Sequence, residues 1–218
     1  MFADEGVCPL TALRDGVLGL PRQQRSLLVG IDGRGGSGKS TLGRALSTLI
    51  DSSVVIEFDD FYRTARERRR PGMEWDGEIG GNFDWRRVRD QVLAPLRDDH
   101  PARYQRYDWA IDQLAEWHLV QPGGLLIVEG NYSTRTELRD FYDFTIWVEA
   151  PHDVRLNRGL ERGGQDTKQR WLEEWMPEEE RYIAAENPRA RVDLVLDGAP
   201  ERSLDPSREC MVLLSSSD

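Results

Sequence analysis

Cysteine and histidine are scarce in this sequence. The two cysteines, Cys8 and Cys210, lie near opposite ends of 218 residues and outside any metal-ligand spacing. They offer no disulfide framework, so a reducing cytoplasm is the expected setting. His100, His118 and His152 are scattered and show no metal-ligand pattern. No apolar run approaches the length of a membrane span. The first seven residues are acidic and lack an apolar core segment, so no secretory signal is expected. Positive charge is in deficit as well. The formal net charge of -10 makes duplex nucleic acid a poor partner, because binding phosphate needs clustered Lys and Arg. The acidity is read as solubility. An N-K-x-D guanine motif is absent, which excludes a GTPase switch, and the chain is short for a motor or transporter ATPase. There is no internal repeat and no long linker.

What is present is a series of apolar runs separated by helical stretches. Residues 26–31 form a compact apolar run ending at Asp32. Further runs at 54–58, 125–128, 144–148 and 192–196 read as strands. Residues 9–20, 41–50, 85–96, 154–162 and 165–186 carry helical spacing. Asp84 is placed to cap the third of these, Gly163-Gly164 breaks the chain between the last two, and Pro177 interrupts the last. The segment 63–81, rich in Arg, Glu and Gly, reads as a mobile excursion. The fold expected is α/β, a doubly wound, mostly parallel, five-stranded sheet with helices on both faces, and the glycine-rich turn Gly33 to Ser40 between the first strand and the second helix makes it a P-loop NTPase fold. Residues 1–198 are expected to form one domain, with a lid near 155–170. Residues 199–218 read as a polar, loosely held tail.

Gly33-Arg34-Gly35-Gly36-Ser37-Gly38-Lys39-Ser40 fits G-x-x-x-x-G-K-[ST] without a mismatch, between a predicted strand and a predicted helix. Glycine reaches cheaply the dihedrals that turn successive N–H groups into one concavity, and the helix N-terminus adds attraction for an anion. The expected ligand set is Gly33, Gly35, Gly36, Ser37, Gly38, Lys39, Ser40 and Thr41 around the phosphates of ATP. Lys39 reaches the β- and γ-phosphates, and Ser40 takes Mg²⁺. In a doubly wound sheet, ligands sit beyond the carboxyl ends of the strands. Those ends carry the glycine loop, Asp59 and Glu129, so the three should converge. With the GTPase and large ATPase classes excluded, a small-molecule kinase remains.

The chain also resembles the uridine kinase and phosphoribulokinase group of P-loop kinases, most closely its uridine kinase-like members. The resemblance runs over residues 27–198. It rests on Ile31-Asp32-Gly33, Phe58-Asp59-Asp60-Phe61-Tyr62, Asn82-Phe83-Asp84, Tyr107-Asp108-Trp109, Ile127-Val128-Glu129-Gly130 and Arg155-Leu156-Asn157-Arg158. It implies that Asp59, the first residue of the D-x-F-Y box, is the catalytic base and also lies near the metal. Adjacent side chains diverge in extended chain, so only one of Asp59 and Asp60 should face the site. Glu129 stands where the metal-orienting acid is expected. Asp84, Tyr62 and Tyr107 are the expected acceptor contacts, a carboxylate suiting a ribose diol and rings suiting a base or sugar face. Arg155 and Arg158 match the lid, with Arg162 on the same helix face. Plainer readings stand beside these: the carboxylates cap turns, the tyrosines are core, and the arginines are a solvated face.

The resemblance breaks at two places: the Arg- and Gly-rich insert 63–81 is unlike a standard base pocket, and an expected histidine is missing. Nucleoside-specific members carry a histidine after Tyr107-Asp108, and Ile111-Asp112 stands there instead. The resemblance still makes a nucleoside such as uridine or cytidine the first reading of the acceptor, and these departures open the alternative. Another polyhydroxyl metabolite (a sugar, a vitamin precursor or a nucleoside analogue) is the alternative. A low-turnover regulatory ATP-binding protein comes last. A homo-oligomer is compatible with the sequence.

Overall fold

The computed structural model describes residues 5–73 and 76–215. The first four residues of the acidic N-terminus, two residues of the 63–81 segment and the last three of the tail lie outside the described residues. Strands in chain order are β1 (Gly6–Pro9), β2 (Ser26–Gly33), β3 (Ser53–Glu57), β4 (Ala102–Asp108), β5 (Gln113–Val120), β6 (Gly124–Glu129), β7 (Phe144–Glu149), β8 (Leu194–Asp197) and β9 (Glu209–Ser215). Among the described residues the main sheet has seven strands, ordered β1-β9-β8-β7-β2-β6-β3. The five strands read from sequence form its parallel centre. Two more are added at one edge, where β9 runs antiparallel to both β8 and β1.

The central strand shows why the pattern reads as a continuous apolar run and not as an alternation. All eight residues of β2 are buried, because helices cover both faces of the sheet. Successive side chains go to opposite cores. Leu28 joins Ile56, Val128, Trp147 and Val195 on one face. Leu27, Val29 and Ile31 join Leu125, Ile127 and Ile146 on the other. Helices α1 (Leu10–Leu18) and α2 (Lys39–Thr48) cover the second face through Leu10, Leu13, Val17, Leu42 and Leu46.

Further helices are α3 (Ala65–Arg68), α4 (Trp85–Val88), α5 (Ala94–Arg97), α6 (Thr136–Arg139), α7 (His152–Gly163), α8 (Lys168–Arg170) and α9 (Met176–Glu186). A π-helical turn at Arg89–Leu93 joins α4 to α5, and another at Trp171–Trp175 joins α8 to α9. Each widened turn ends two residues before a proline, Pro95 or Pro177. A proline ring has no N–H to donate and collides with the carbonyl four residues back, and a wider turn relieves both. Pro177 thus deforms the helix instead of ending it. Among the described residues no helix is long and apolar enough to cross a membrane.

Three readings change. Residues 102–120 form a separate hairpin, β4 against β5, where no strand was expected. The start of the 63–81 segment is ordered: Arg63 is buried, and α3 opens with a reciprocal capping box between Thr64 and Glu67. Residues 209–215 of the tail are not loose, since β9 contributes the buried side chains of Cys210 and Val212 to the core shared with Cys8, Leu10 and Leu196.

Ending the chain at Ser207 would uncover that core and leave β1 without a neighbour. Burial of the two side chains alone is worth about 3 kcal/mol, so the melting temperature of the truncated chain should fall by roughly 6–12 °C. Thermal unfolding followed by circular dichroism checks this, and an unchanged melting temperature would mean that β9 adds nothing to the core.

Candidate active site

The glycine loop leaves the end of β2 and enters α2 at Lys39. Gly38 precedes the helix in a left-handed conformation (φ 111°), and no side chain caps it. The first-turn N–H groups of α2 are therefore available to an anion. Gly36 shows why glycine is needed inside the loop. Its φ is 77°, and a Cβ there would lie 2.5 Å from the carbonyl oxygen of Arg155. Lys39 is buried and donates to the Arg34 carbonyl at 2.9 Å and to Asn131 Oδ1 at 2.7 Å. Burial lowers its pKa, and the carboxylates of Glu129, Glu179, Asp32 and Asp59 work against that shift.

Glu129 ends β6 as a buried carboxylate beside Ser40 in the cleft. Burial raises its pKa, while Lys39 and Ser40 pull it down. Asp59 sits in a short 3₁₀ turn, Phe58–Phe61, that closes β3. The turn separates the adjacent carboxylates, as the sequence suggests. Asp59 lines the cleft, whereas Asp60 accepts from the Tyr104 hydroxyl at 3.3 Å. The cleft walls push the Asp59 carboxyl up, with Lys39 opposing. Ser40, Glu129 and Asp59 are hard oxygen donors of the kind that suits Mg²⁺. Among the described residues no cluster of three or more His, Cys, Asp or Glu side chains forms a ready-made metal cage. Magnesium in phosphoryl-transfer sites needs none, since phosphates and water fill most of its shell.

These groups share one cleft of 1190 Å³, which runs from Trp109 and Tyr62 past the glycine loop to Gly198 and Pro206. The volume is enough for a nucleotide and a small acceptor together. Arg158 and Arg162 line it, and Arg158 donates to the carbonyls of Gly36 (3.2 Å) and Gly198 (3.0 Å). Arg162, the lid arginine with the weakest sequence match, is close enough to pull down the carboxyl of Asp59.

Arg155 does not reach into the cleft. Its guanidinium is buried behind the loop, donating to the Ala150 carbonyl and to Glu179. Asp84 is likewise occupied: it caps α4 by accepting from Arg87 N–H and pairs with Arg63 at 2.8 Å. The Tyr107 hydroxyl is spent on Asp112 at 2.6 Å, and Asp112 also accepts from the Ala65 N–H. Tyr62 lines the cleft but is covered by Trp109, stacked on it at 4.4 Å between ring centroids. Trp109 is 47 % exposed against 4 % for Tyr62, so it is Trp109 that offers an open ring face.

Three residues around the loop escape the sequence reading: Asn131, Trp171 and Glu179. Glu179 accepts from the Gly35 N–H at 2.8 Å, and Trp171 lies where a Cβ on Gly35 would strike it at 2.8 Å. The only signal for Trp171 and Glu179 is spacing, and Asn131 has none. Trp171, Trp175 and Glu179 recur every four residues, which puts them on one helix face.

A profile of the AAA domain matches residues 29–186. A uridine kinase of Staphylococcus carnosus is 30% identical over 151 residues, covering 66% of this chain and 69% of that protein. The chain spans about two thirds of the length of the curated relatives it matches, 66% in the case of a uridine kinase of Borrelia duttonii. Among solved structures, a candidate uridine kinase from Bacillus stearothermophilus superposes with a TM-score of 0.65 at 25% identity, covering 85% of this chain and 96% of that one. A candidate fructose transport system kinase from Silicibacter sp. TM1040 gives 0.67 at 26% identity, with 81% and 94% covered.

Burial and the nearby charge of Glu57 raise the pKa of Asp60 from 3.8 to about 6. The folded state thus holds this proton more tightly than the unfolded chain. The resulting stabilisation is fully present below about pH 4 and is lost as the pH rises through about 6. Asp60→Asn removes the effect, so the variant should gain stability relative to the parent between pH 4 and 7. Urea midpoints for the pair across that range test it, and a constant difference would show that Asp60 titrates normally.

Proposed function

The chain belongs to the AAA-domain family and, within it, to the uridine kinase-like P-loop kinases, and on that premise we propose that it transfers the γ-phosphate of ATP to a hydroxyl of a small molecule, first of all a nucleoside. One juxtaposition carries the reading: the carboxylate of Asp59 and the ammonium of Lys39 share a cleft with Ser40 and with Glu129, which ends β6, the strand between β2 and β3. Asp59 takes the proton of the acceptor hydroxyl as its oxygen attacks the γ-phosphorus. The bridging bond to the β-phosphate breaks, and ADP leaves. A carboxyl held above its ordinary range is a better proton acceptor than an unperturbed one. Lys39, Arg158 and Arg162 neutralise charge on the transferring group. Mg²⁺, held by Ser40 and Glu129 with Asp59 nearby, supplies further neutralisation of the phosphates when bound. ATP and Mg²⁺ are abundant in the cytoplasm, which is the compartment this reading assigns.

The nucleoside is supported by the names of the relatives and by the open aromatic face of Trp109. A second reading, a sugar or other polyol as acceptor, is supported by the engagement of Asp84 with Arg63 and of Asp112 with Ala65 and Tyr107. Those two carboxylates are already satisfied and would have to exchange partners to read a ribose and a base.

Lys39→Ala should abolish or strongly weaken Mg-ATP binding, seen by calorimetry. Asp59→Asn should lower kcat by roughly 10²-fold or more with ATP affinity nearly intact. Unchanged turnover in Asp59→Asn would remove the proposed base. For the acceptor, kcat/KM should be compared for uridine, cytidine, their 2′-deoxy forms and simple sugars. Ribonucleosides ahead of deoxynucleosides, with the preference lost in Asp84→Ala, supports the nucleoside and a diol-reading role for Asp84. Transfer only to a sugar or polyol keeps the kinase and discards the nucleoside.

A further inference from the structure

Lys39 lies between opposing influences. The strongest attraction on its ammonium comes from Glu129, and Glu179, Asp32 and Asp59 add to it. An ammonium on a flexible stem, left to that field, collapses onto the carboxylates and spends its charge there. Two hydrogen bonds hold it back, one to the Arg34 carbonyl at 2.9 Å and one to Asn131 Oδ1 at 2.7 Å. Of the three ammonium donors, one is left for a phosphate.

The Asn131 bond depends on which way the amide points. Lys39 can only donate, so it needs the amide oxygen. On the other side of Asn131 lies Glu179, whose carboxylate can only accept and therefore needs the amide NH₂. Asn131 Nδ2 donates to Glu179 Oε1 at 2.7 Å, which fixes the amide with its oxygen toward Lys39. Glu179 is itself over-determined. It is 3 % exposed, accepts from the Gly35 N–H at 2.8 Å and pairs with Arg155 at 3.0 Å. Its carboxylate thus cannot swing away without leaving a loop N–H and a buried guanidinium unmet.

We propose that Glu179 and Asn131 are positioning residues that act as a relay, holding the Lys39 ammonium off Glu129 and Asp59 and directed at the phosphates of the nucleotide. The proposal rests on the ATP-binding reading of the cleft. It departs from a plain structural role, in which Glu179 serves only as the counter-ion of Arg155 and Asn131 has no part in ATP binding.

Glu179→Gln replaces half of the carboxylate by an NH₂ group, which can itself donate to Asn131 Oδ1 and turn the amide around. Its NH₂ would then face Lys39, donor against donor. Asn131→Ala removes the acceptor outright. Each variant should weaken Mg-ATP binding by about tenfold, and the double variant should be no more than about threefold weaker than either single one, because both cut the same chain. Mg-ATP affinity is read by calorimetry, and melting temperature is read alongside. Losses that multiply to about a hundredfold would mean two independent effects and overturn the relay. Glu179→Gln that lowers the melting temperature but leaves Mg-ATP affinity within about twofold would return Glu179 to a structural role. If Glu179→Gln does not fold, Asn131→Ala decides alone: a tenfold loss sustains the relay and an unchanged affinity overturns it. Failure of the unaltered protein to bind Mg-ATP would remove the proposed function and the relay with it, whereas normal binding with indifferent variants removes the relay only.

Discussion

Five hydrogen bonds converge on the fully buried carboxylate of Asp32, at the point where β2 becomes the glycine loop. Its donors are the N–H groups of Gly33 (2.7 Å), Tyr132 (3.1 Å) and Thr134 (2.9 Å), the Thr134 hydroxyl (2.8 Å) and the Tyr182 hydroxyl (2.8 Å). A buried carboxylate without such partners would cost many kcal/mol, so each donor is held where it is by the penalty of leaving. The three segments tied in this way are the loop, the turn after β6 and α9. Asn131 lies next to Tyr132, and Glu179 lies one helical turn before Tyr182. The distance between the relay partners is therefore set by a carboxylate that touches neither. Tyr132 accepts a left-handed φ of 70°, rare for a bulky side chain, as the cost of presenting its N–H to Asp32.

This arrangement accounts for what the sequence conveys and what it does not. The glycine loop, Asp59 and Glu129 are legible because each is a local pattern, a strand end followed by a residue of fixed chemistry, and the parallel sheet brings strand ends together whatever lies between. The separation of Asp59 from Asp60 is legible for the same reason. The partners that engage Asp84, Tyr107 and Arg155 are not legible, because a polar side chain's role depends on who else is near. Arg63, Asp112 and Glu179 are 21, 5 and 24 residues away from them, and no spacing rule announces which will pair. Asn131 and Glu179 are hidden for the complementary reason, since an Asn after a strand and one Glu in an acidic helix look like surface.

The edge strands fail to show for a different reason. β1 is four residues long, and β9 carries its apolar residues next to a polar, serine-ended stretch. Neither has enough alternation to register alone, and each becomes a strand by pairing with the other. The hairpin of β4 and β5 has more alternation, but its outer face keeps Trp117 and Leu119 exposed, which blurs the contrast between inside and outside.

The pairing of β1 with β9 also bears on how the protein comes to be made. Gly6 lies opposite Val212 and Cys8 opposite Cys210, partners some two hundred residues apart along the chain. A ribosome releases residues in order, so β1 and the helix that follows it emerge early and have no edge to join. Contacts of such long sequence separation are slow to form, because the intervening loop must close first. The nascent chain must carry β1 as an unpaired strand until β9 has emerged. The parallel centre, β2 through β8, can organise before that moment, and closing the last edge is then a late step of folding. Until it happens, the exposed edge of β8 is the part of the folding intermediate most open to pairing with another chain.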